Sequence, residues 1–386
     1  CTIISCIMNF CKNVDTLREY SPGRSRLGYM KLSSNENPLG SSPAARKILT
    51  ENLSNLNVYP HVVPEELRQG IADWRGVRGS QVICANGSGE IFHLSAAAVI
   101  EPGKNAVGSQ HSFSLYSFAT GLFGGTYRAV PPRISARAIA HDIEGIAAAV
   151  DNNTRLIFLC SPNNPTGAVI PEEKLRWLLG QTPEDVLVVL DQAYGEYADT
   201  TASFDGPAFF DGPAFFDGAA LISEYPNLLV SGTFSKIFGL ASLRVGYGIA
   251  SEKIIRRLHR LKLPFNTNGP AQQAALAALS DNTFLTLSRE TNRASRALLC
   301  AGLTQVGIEF CEPHGNFICM KNPSGRNIAR LMERNGIIIR ELDSFGLPDF
   351  VRITIPAEAA AKKIIAILKE WEHGGAGAWE EKSLSV

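Results

Sequence analysis

Short apolar runs alternate with stretches of helical periodicity through the middle of the chain. The apolar runs are typical of buried strands, and they lie at residues 82–85, 106–108, 126–130, 156–159, 186–190, 228–230 and 245–249. Helical stretches fall between them, at 89–100, 143–150 and 172–179. This alternation predicts an α/β fold whose mostly parallel central sheet is sandwiched by helices.

The pattern changes in the last third of the chain. Helical periodicity extends over residues 271–279 and 284–303 without a strand between them. Strand-like runs then return at 317–320, 337–340 and 351–355, with helices around them. We therefore expect a smaller α+β unit at the C-terminal end.

One segment is a local repeat. Residues 204–215 contain the unit Phe-Asp-Gly-Pro-Ala-Phe twice, and Phe216-Asp-Gly follows at once. Asp-Gly-Pro favours turns and blocks helix formation, and a six-residue unit that occurs twice cannot build a core. We interpret the segment as a duplicated loop; an aromatic lid is the functional alternative.

Composition excludes several classes of protein. The 386 residues are 45% hydrophobic and 19% charged, as in an ordinary globular protein. Lys plus Arg and Asp plus Glu both number 37, and a formal net charge of zero argues against nucleic acid or an anionic membrane as the main partner. The eight cysteines form no regular framework, so we expect no metal site, no disulfide scaffold and a cytoplasmic location.

The first eleven residues are apolar and uncharged and do not begin with Met. The segment is too short for a membrane helix and lacks the basic region of a secretory signal. We interpret it as a truncated or extended leader that packs on the protein or stays mobile, with a lipid-bearing Cys1 as the alternative.

The most informative motif surrounds a lysine. Lys236 lies between two hydroxyl residues that precede it, Thr233 and Ser235, and Arg244, which follows it in an apolar, glycine-rich string. A lysine that reacts with a carbonyl needs a partly desolvated pocket, in which its amine can lose a proton. Hydroxyl donors and a fixed guanidinium suit a neighbouring phosphate. These are the needs of pyridoxal phosphate (PLP), whose aldehyde is held by a lysine.

Two further motifs follow strand-like runs. One is Cys160-Ser-Pro-Asn-Asn-Pro-Thr-Gly167, and the other is Asp191-Gln-Ala-Tyr194. Ligands of α/β proteins bind at the carboxyl ends of such strands. Asp191 could keep the pyridine nitrogen protonated, while Asn164 and Tyr194 could donate to the phenolate oxygen of the ring. Each motif alone is also consistent with a turn or a helix cap.

Together these motifs resemble the fold-type-I PLP-dependent aminotransferases and, within them, the histidinol-phosphate aminotransferases. The resemblance extends from about Tyr20 to about Leu368. Its further markers are Leu32-Ser-Ser-Asn-Glu-Asn-Pro-Leu-Gly40, Val58-Tyr-Pro60, Asn86-Gly-Ser-Gly-Glu-Ile91, Gly239-Leu-Ala-Ser-Leu-Arg244 and Val351-Arg-Ile-Thr354. It implies an N-terminal arm and part of a small domain at residues 1–45, a large PLP-binding domain at 46–275 and a C-terminal small domain at 276–386.

The resemblance also assigns roles to individual residues. It implies catalytic roles for Lys236, Asp191 and Tyr194. It implies cofactor contacts for Ser88, Gly89, Phe113, Asn164, Asp191, Tyr194, Thr233, Ser235, Lys236 and Arg244, and for Tyr59, which would reach the cofactor of a neighbouring subunit in a homodimer. It implies substrate contacts for Tyr20, Asn37, Arg340 and Arg352, and leaves open which arginine takes phosphate and which takes carboxylate.

The chain departs from the family at two places: Gln192 stands where Glu is common, and Ile355-Pro-Ala-Glu replaces a glycine-rich continuation. The activity implied is transfer of the amino group of L-histidinol phosphate to 2-oxoglutarate in histidine biosynthesis. The alternatives on the same fold are an aromatic amino-acid aminotransferase and a threonine-phosphate decarboxylase. A PLP-sensing regulator is the non-enzyme alternative, although no basic helix-turn-helix segment precedes Tyr20.

Overall fold

A computed structural model describes residues 11–17, 19, 22–198, 215–323 and 325–373. Its α-helices are α1 (Lys12–Thr16), α2 (Pro43–Glu51), α3 (Glu65–Arg75), α4 (Ser88–Val99), α5 (Leu115–Leu122), α6 (Ile143–Ala148), α7 (Glu172–Gln181), α8 (Glu252–Leu261), α9 (Gly269–Leu279), α10 (Asn282–Gln305), α11 (Ile328–Arg334) and α12 (Glu358–His373). In this described part, no helix combines the length and the apolar character that a membrane span requires.

The strands are short and most of them are buried. They are β1 (Met30–Lys31), β2 (Val82–Ala85), β3 (Asn105–Ser109), β4 (Thr126–Val130), β5 (Arg133–Ile134), β6 (Ile139–Ala140), β7 (Thr154–Cys160), β8 (Leu187–Asp191), β9 (Leu228–Thr233), β10 (Gly246–Ala250), β11 (Phe317–Lys321), β12 (Ile337–Ile338), β13 (Arg340–Glu341) and β14 (Phe350–Thr354).

The large sheet contains seven strands in the order β2-β10-β9-β8-β7-β3-β4. Strand β10 is antiparallel to both of its neighbours, and the remaining pairs are parallel. The α/β fold with a mostly parallel sheet is therefore confirmed. Successive residues of a strand point to opposite faces, so Val82 and Cys84 belong to one apolar cluster and Ile83 to another. Both faces are thus buried, as helices on both sides of the sheet require.

The C-terminal part has its own apolar core, formed by α10, α11, α12 and the three-stranded antiparallel sheet β11-β14-β13. The N-terminal segment joins this part, because β1 pairs in parallel with β12 and Leu32 lies in the same core. The apolar run at 337–340 was expected to be one strand. It is divided because β12 pairs with β1 whereas β13 pairs with β14. The domain boundaries remain a prediction.

The sheet brings the polar ends of four strands to one edge. Strands β7, β8 and β9 are parallel neighbours, and they end at Cys160, Asp191 and Thr233. Gly246 of β10 pairs with both Thr233 and Ala85, which places the end of β2 at the same edge. The turns that follow these strands therefore surround one space.

Candidate active site

A cavity of about 410 Å³ opens at this edge. This volume is within the usual range for small-ligand sites. Of the fifteen site residues that the sequence predicted, twelve line the cavity. These twelve are Ser88, Gly89, Phe113, Asn164, Asp191, Tyr194, Thr233, Ser235, Lys236, Arg244, Arg340 and Arg352. Residues more than 250 positions apart thus meet in one cavity, as Ser88 and Arg352 do.

One end of the cavity is suited to an anion. Helix α4 begins at Ser88, and the first N–H groups of a helix lack intrahelical partners and attract anions. The Arg244 guanidinium donates to Ser235 Oγ at 3.2 Å and lies against Gly87. Gly87 has φ +77° and ψ 167°, and a Cβ there would overlap Arg244 Nη2. Only glycine therefore allows the guanidinium to approach this helix start so closely, an arrangement that fits the phosphate of PLP.

Asp191 lines the cavity and is only 3% exposed. Its Oδ2 accepts a hydrogen bond from Tyr116 at 2.6 Å, and its Oδ1 accepts from Ser231 at 3.2 Å and from the Ala193 N–H at 3.0 Å. These donors are all neutral. Burial raises the pKa of Asp191 above its ordinary value, while these hydrogen bonds act to lower it. A cationic N–H, such as a protonated pyridine nitrogen, is the partner that would stabilise the buried carboxylate, so the site fits PLP here as well.

Lys236 lines the cavity and is partly buried, and its Nζ donates to the carbonyl oxygen of Ser34 at 3.1 Å. Burial and, next to it, the Arg352 guanidinium together lower the pKa of Lys236 to about 7, although Glu36 and Asp191 act in the opposite direction. The amine is therefore substantially unprotonated near neutral pH. This is the state in which a lysine can act as a nucleophile or a base.

Tyr194 and Asn164 lie near the lysine. The Tyr194 hydroxyl accepts a hydrogen bond from Asn35 Nδ2 at 3.0 Å, and its ring centroid is 5.3 Å from Lys236 Nζ. Asn164 Oδ1 accepts from Arg352 Nη1. Because that contact uses the amide oxygen, the Asn164 amide nitrogen is the group that can donate to a ligand oxygen.

Two further arginines line the cavity. Arg352 is 5% exposed and donates through Nη2 to the Ser33 carbonyl oxygen at 2.8 Å. Arg340 donates to the Pro22 carbonyl oxygen at 2.5 Å and to Ser344 Oγ at 3.1 Å. The two residues are directly paired between β13 and β14. Two guanidinium groups in adjacent register create a strongly cationic wall, which suits the anionic end of a substrate.

Phe113 also lines the cavity. Its ring packs edge-to-face on Phe92 and Tyr116, with centroids 6.3 and 5.9 Å apart. It is therefore held by the core behind it while it presents a surface to the cavity.

Two of the remaining predicted site residues, Tyr59 and Asn37, do not line this cavity. Tyr20 lies outside the described residues. Tyr59 is 79% exposed and stacks on Phe265 at 4.7 Å, beside a separate groove. Asn37 is buried behind the lysine loop, where its Nδ2 donates to the Ile237 carbonyl oxygen at 2.7 Å and to Ser288 Oγ at 3.0 Å.

Gln192 also lies away from the cavity lining. Its Nε2 donates to the Phe216 carbonyl oxygen at 2.7 Å, and its Oε1 accepts from the Gly218 N–H at 3.1 Å. It thus holds the chain that leaves the duplicated segment, most of which lies outside the described residues. An amide can both donate and accept, which an ionised glutamate cannot.

Sequence reasoning missed three residues of the site. Tyr116 binds Asp191 from helix α5, Asn35 binds Tyr194, and Glu36 lines the cavity. Asn35 and Glu36 belong to the family motif Leu32-Ser-Ser-Asn-Glu-Asn-Pro-Leu-Gly40, and membership of this motif is the signal that could have identified them. Tyr116 lies only three positions after Phe113, but an aromatic residue in a helix is ordinarily interpreted as part of the apolar core.

The comparisons with known proteins agree with this geometry. The family model described as aminotransferase class I and II matches residues 28–368. Histidinol-phosphate aminotransferase 1 of Cupriavidus pinatubonensis is 38% identical over 353 residues, which cover 90% of this chain and 89% of that protein. Histidinol-phosphate aminotransferase 2 of Pseudomonas aeruginosa is 41% identical over 327 residues, or 84% of each chain.

A solved structure supports the same fold. The histidinol-phosphate aminotransferase from Sinorhizobium meliloti, in complex with pyridoxal 5'-phosphate, superposes with a TM-score of 0.82. The alignment covers 96% of this chain and 99% of that one, at 23% identity. At this identity the likeness concerns the fold alone.

Proposed function

The chain belongs to the family of class I and II aminotransferases, which depend on PLP, and on this premise we propose that it transfers the amino group of L-histidinol phosphate to 2-oxoglutarate. This reaction would serve histidine biosynthesis. The observation that carries the proposal is one cavity that joins a partly buried lysine, a buried aspartate and a wall of two arginines. Relatives with 36–41% identity over most of the chain bear the corresponding name.

When bound, PLP supplies a sink for the electrons left on the donor's α-carbon. Asp191 would hold a proton at the pyridine nitrogen. Phe113 would lie against the ring, and Asn164 and Tyr194 would donate to its phenolate oxygen. The phosphate would be held by Ser88, Gly89, Thr233, Ser235 and Arg244.

Lys236 would hold the cofactor between turnovers and would then move a proton from the donor's α-carbon. A general base works best when its pKa lies near the working pH, and the pKa of about 7 at Lys236 meets this condition. The cationic wall of Arg340 and Arg352 would bind the phosphate of one substrate and the carboxylate of the other. Tyr20 remains a candidate for a contact at this substrate end, whereas Asn37 would act indirectly, by holding the loop of Lys236 through its hydrogen bond to the Ile237 carbonyl oxygen.

We further propose that two copies of the chain associate through the surface around Tyr59. This surface exposes several large apolar side chains, among them Leu56, Val58, Tyr59 and Leu263, each more than 60% exposed. Leu56, Val58 and Tyr59 line a groove of about 1210 Å³ together with Phe265, which lies two positions after Leu263. Exposed apolar area of this kind marks an association surface. Sedimentation should give the mass of a dimer, and Tyr59→Ala should weaken cofactor retention if Tyr59 reaches the partner's site.

A half-reaction tests the function. The protein would be loaded with PLP and mixed with L-histidinol phosphate alone, while the absorption band of the bound cofactor is followed. We expect the band to disappear and to return when 2-oxoglutarate is added, whereas Lys236→Ala should show no such cycle. A band that persists would overturn the proposed donor; aromatic amino acids would then be tested as donors, and release of carbon dioxide from threonine phosphate would identify a decarboxylase.

A further inference from the structure

The charges that line the cavity are strongly unbalanced. The basic lining residues are Lys31, Lys236, Arg244, Arg340 and Arg352. The acidic ones, among the described residues that line it, are Asp191 and Glu36. The proposed function assigns Asp191 to the cofactor ring, which leaves Glu36 as the carboxylate that faces the substrate.

Glu36 lies close to the reacting centre. It is two residues from Ser34, whose carbonyl oxygen binds Lys236 Nζ at 3.1 Å, and it follows Asn35, which binds the Tyr194 hydroxyl. The Glu36 carboxylate raises the pKa of Lys236, as Asp191 also does. Its charge therefore acts within the cavity.

Lys31 holds this carboxylate in position. Lys31 Nζ donates to Glu36 Oε1 at 2.6 Å, and both side chains are partly exposed to the cavity. A carboxylate accepts hydrogen bonds at both oxygens, so the contact with Lys31 does not use all of its capacity.

The donor of the proposed reaction carries three polar ends. Its phosphate suits the arginines and its amine suits the lysine end, but its imidazole N–H needs an acceptor. We propose that Glu36 accepts a hydrogen bond from the donor's imidazole and thereby selects donors with a basic heteroaromatic ring. This inference rests on the proposed function, since the donor comes from there.

Two donors that differ only in the ring test the inference. L-Histidinol phosphate and L-phenylalaninol phosphate share the amine and the phosphate, but the phenyl ring has no N–H. We would measure kcat/KM for both donors with the PLP-loaded wild type and with Glu36→Gln. The ratio of kcat/KM for L-histidinol phosphate to kcat/KM for L-phenylalaninol phosphate should fall about tenfold in Glu36→Gln, because a hydrogen bond to a charged group contributes about that much to binding.

Glu333→Gln is the matched control. Glu333 is also ion-paired, with Arg24 at 2.7 Å, but it does not line the cavity, so its ratio should equal that of the wild type. Calorimetry on Lys236→Ala, which binds a donor without turnover, gives a second readout: the two donors should differ in Kd, and adding Glu36→Gln should reduce that difference.

Several results would overturn the inference. A ratio in Glu36→Gln equal to that of the wild type would do so. A wild type that uses both donors equally well would also do so, and this result does not depend on the stability of any variant. Absence of any reaction between the wild type and L-histidinol phosphate is a different result, because it would reject the proposed function itself.

Discussion

Replacing Gly87 with alanine should weaken PLP binding by displacing Arg244. The added Cβ would overlap Arg244 Nη2 and would lie 3.1 Å from its Cζ, so the guanidinium would have to move away from the start of helix α4. A hydrogen bond to a charged group contributes about 1.5–3 kcal/mol, and each 1.4 kcal/mol changes affinity about tenfold. The Kd for PLP should therefore rise by about 10- to 100-fold.

The same substitution strains the backbone. With φ +77° and ψ 167°, Gly87 lies in a region that residues with a Cβ avoid at a cost of about 1–3 kcal/mol, so the free energy of unfolding should fall as well. Gly76→Ala is the matched control, because Gly76 also has a positive φ of +66° but no atom lies within 4 Å of the added Cβ. It should lower stability without changing the Kd for PLP.

The assay is a titration of the apoprotein with PLP, followed by absorption, for Gly87→Ala, Arg244→Ala and the double variant. If the alanine acts through Arg244, the effects on Kd will not add, and Gly87→Ala will cost little once Arg244 is gone. A Kd unchanged in Gly87→Ala, or fully additive effects in the double variant, would refute the reasoning.

Three further predictions concern the apoprotein, the ring aspartate and the duplicated segment. Because the pKa of Lys236 is lowered to about 7 from 10.5, the unfolded chain binds more protons than the folded one between these pH values, so stability should rise with pH across that window. Lys236→Met should remove this contribution, and thermal melts of both apoproteins over the window will detect it; identical pH profiles would contradict it. Tyr116→Phe removes the 2.6 Å hydrogen bond to buried Asp191 and should raise the Kd for PLP and slow the half-reaction, each by about tenfold, whereas unchanged values would show that the contact is dispensable. Deleting residues 210–215 leaves the same six-residue unit before Phe216, so kcat/KM should stay largely intact, and complete loss of turnover in a folded, cofactor-loaded variant would contradict this.

The sequence alone determined the fold class and most of the cavity lining. Buried parallel strands appear as apolar runs, and the polar residues that follow them must meet, because neighbouring parallel strands end at the same edge of the sheet. Asn164 and Lys236 follow β7 and β9, and Asp191 ends β8, so their convergence follows from local patterns once those strands are neighbours. The family resemblance added site residues, such as Arg352, whose role hydrophobic periodicity does not predict.

Only the tertiary structure decided which side chains touch. Tyr116 lies 75 positions from Asp191, and Asn35 lies 159 positions from Tyr194. Glu36 faces the cavity whereas its neighbour Asn37 is buried against the lysine loop. Hydrophobic periodicity reports which face of an element is buried, but not which distant element covers it. Partners that are far apart in the sequence are therefore selected by packing, and packing depends on the whole chain.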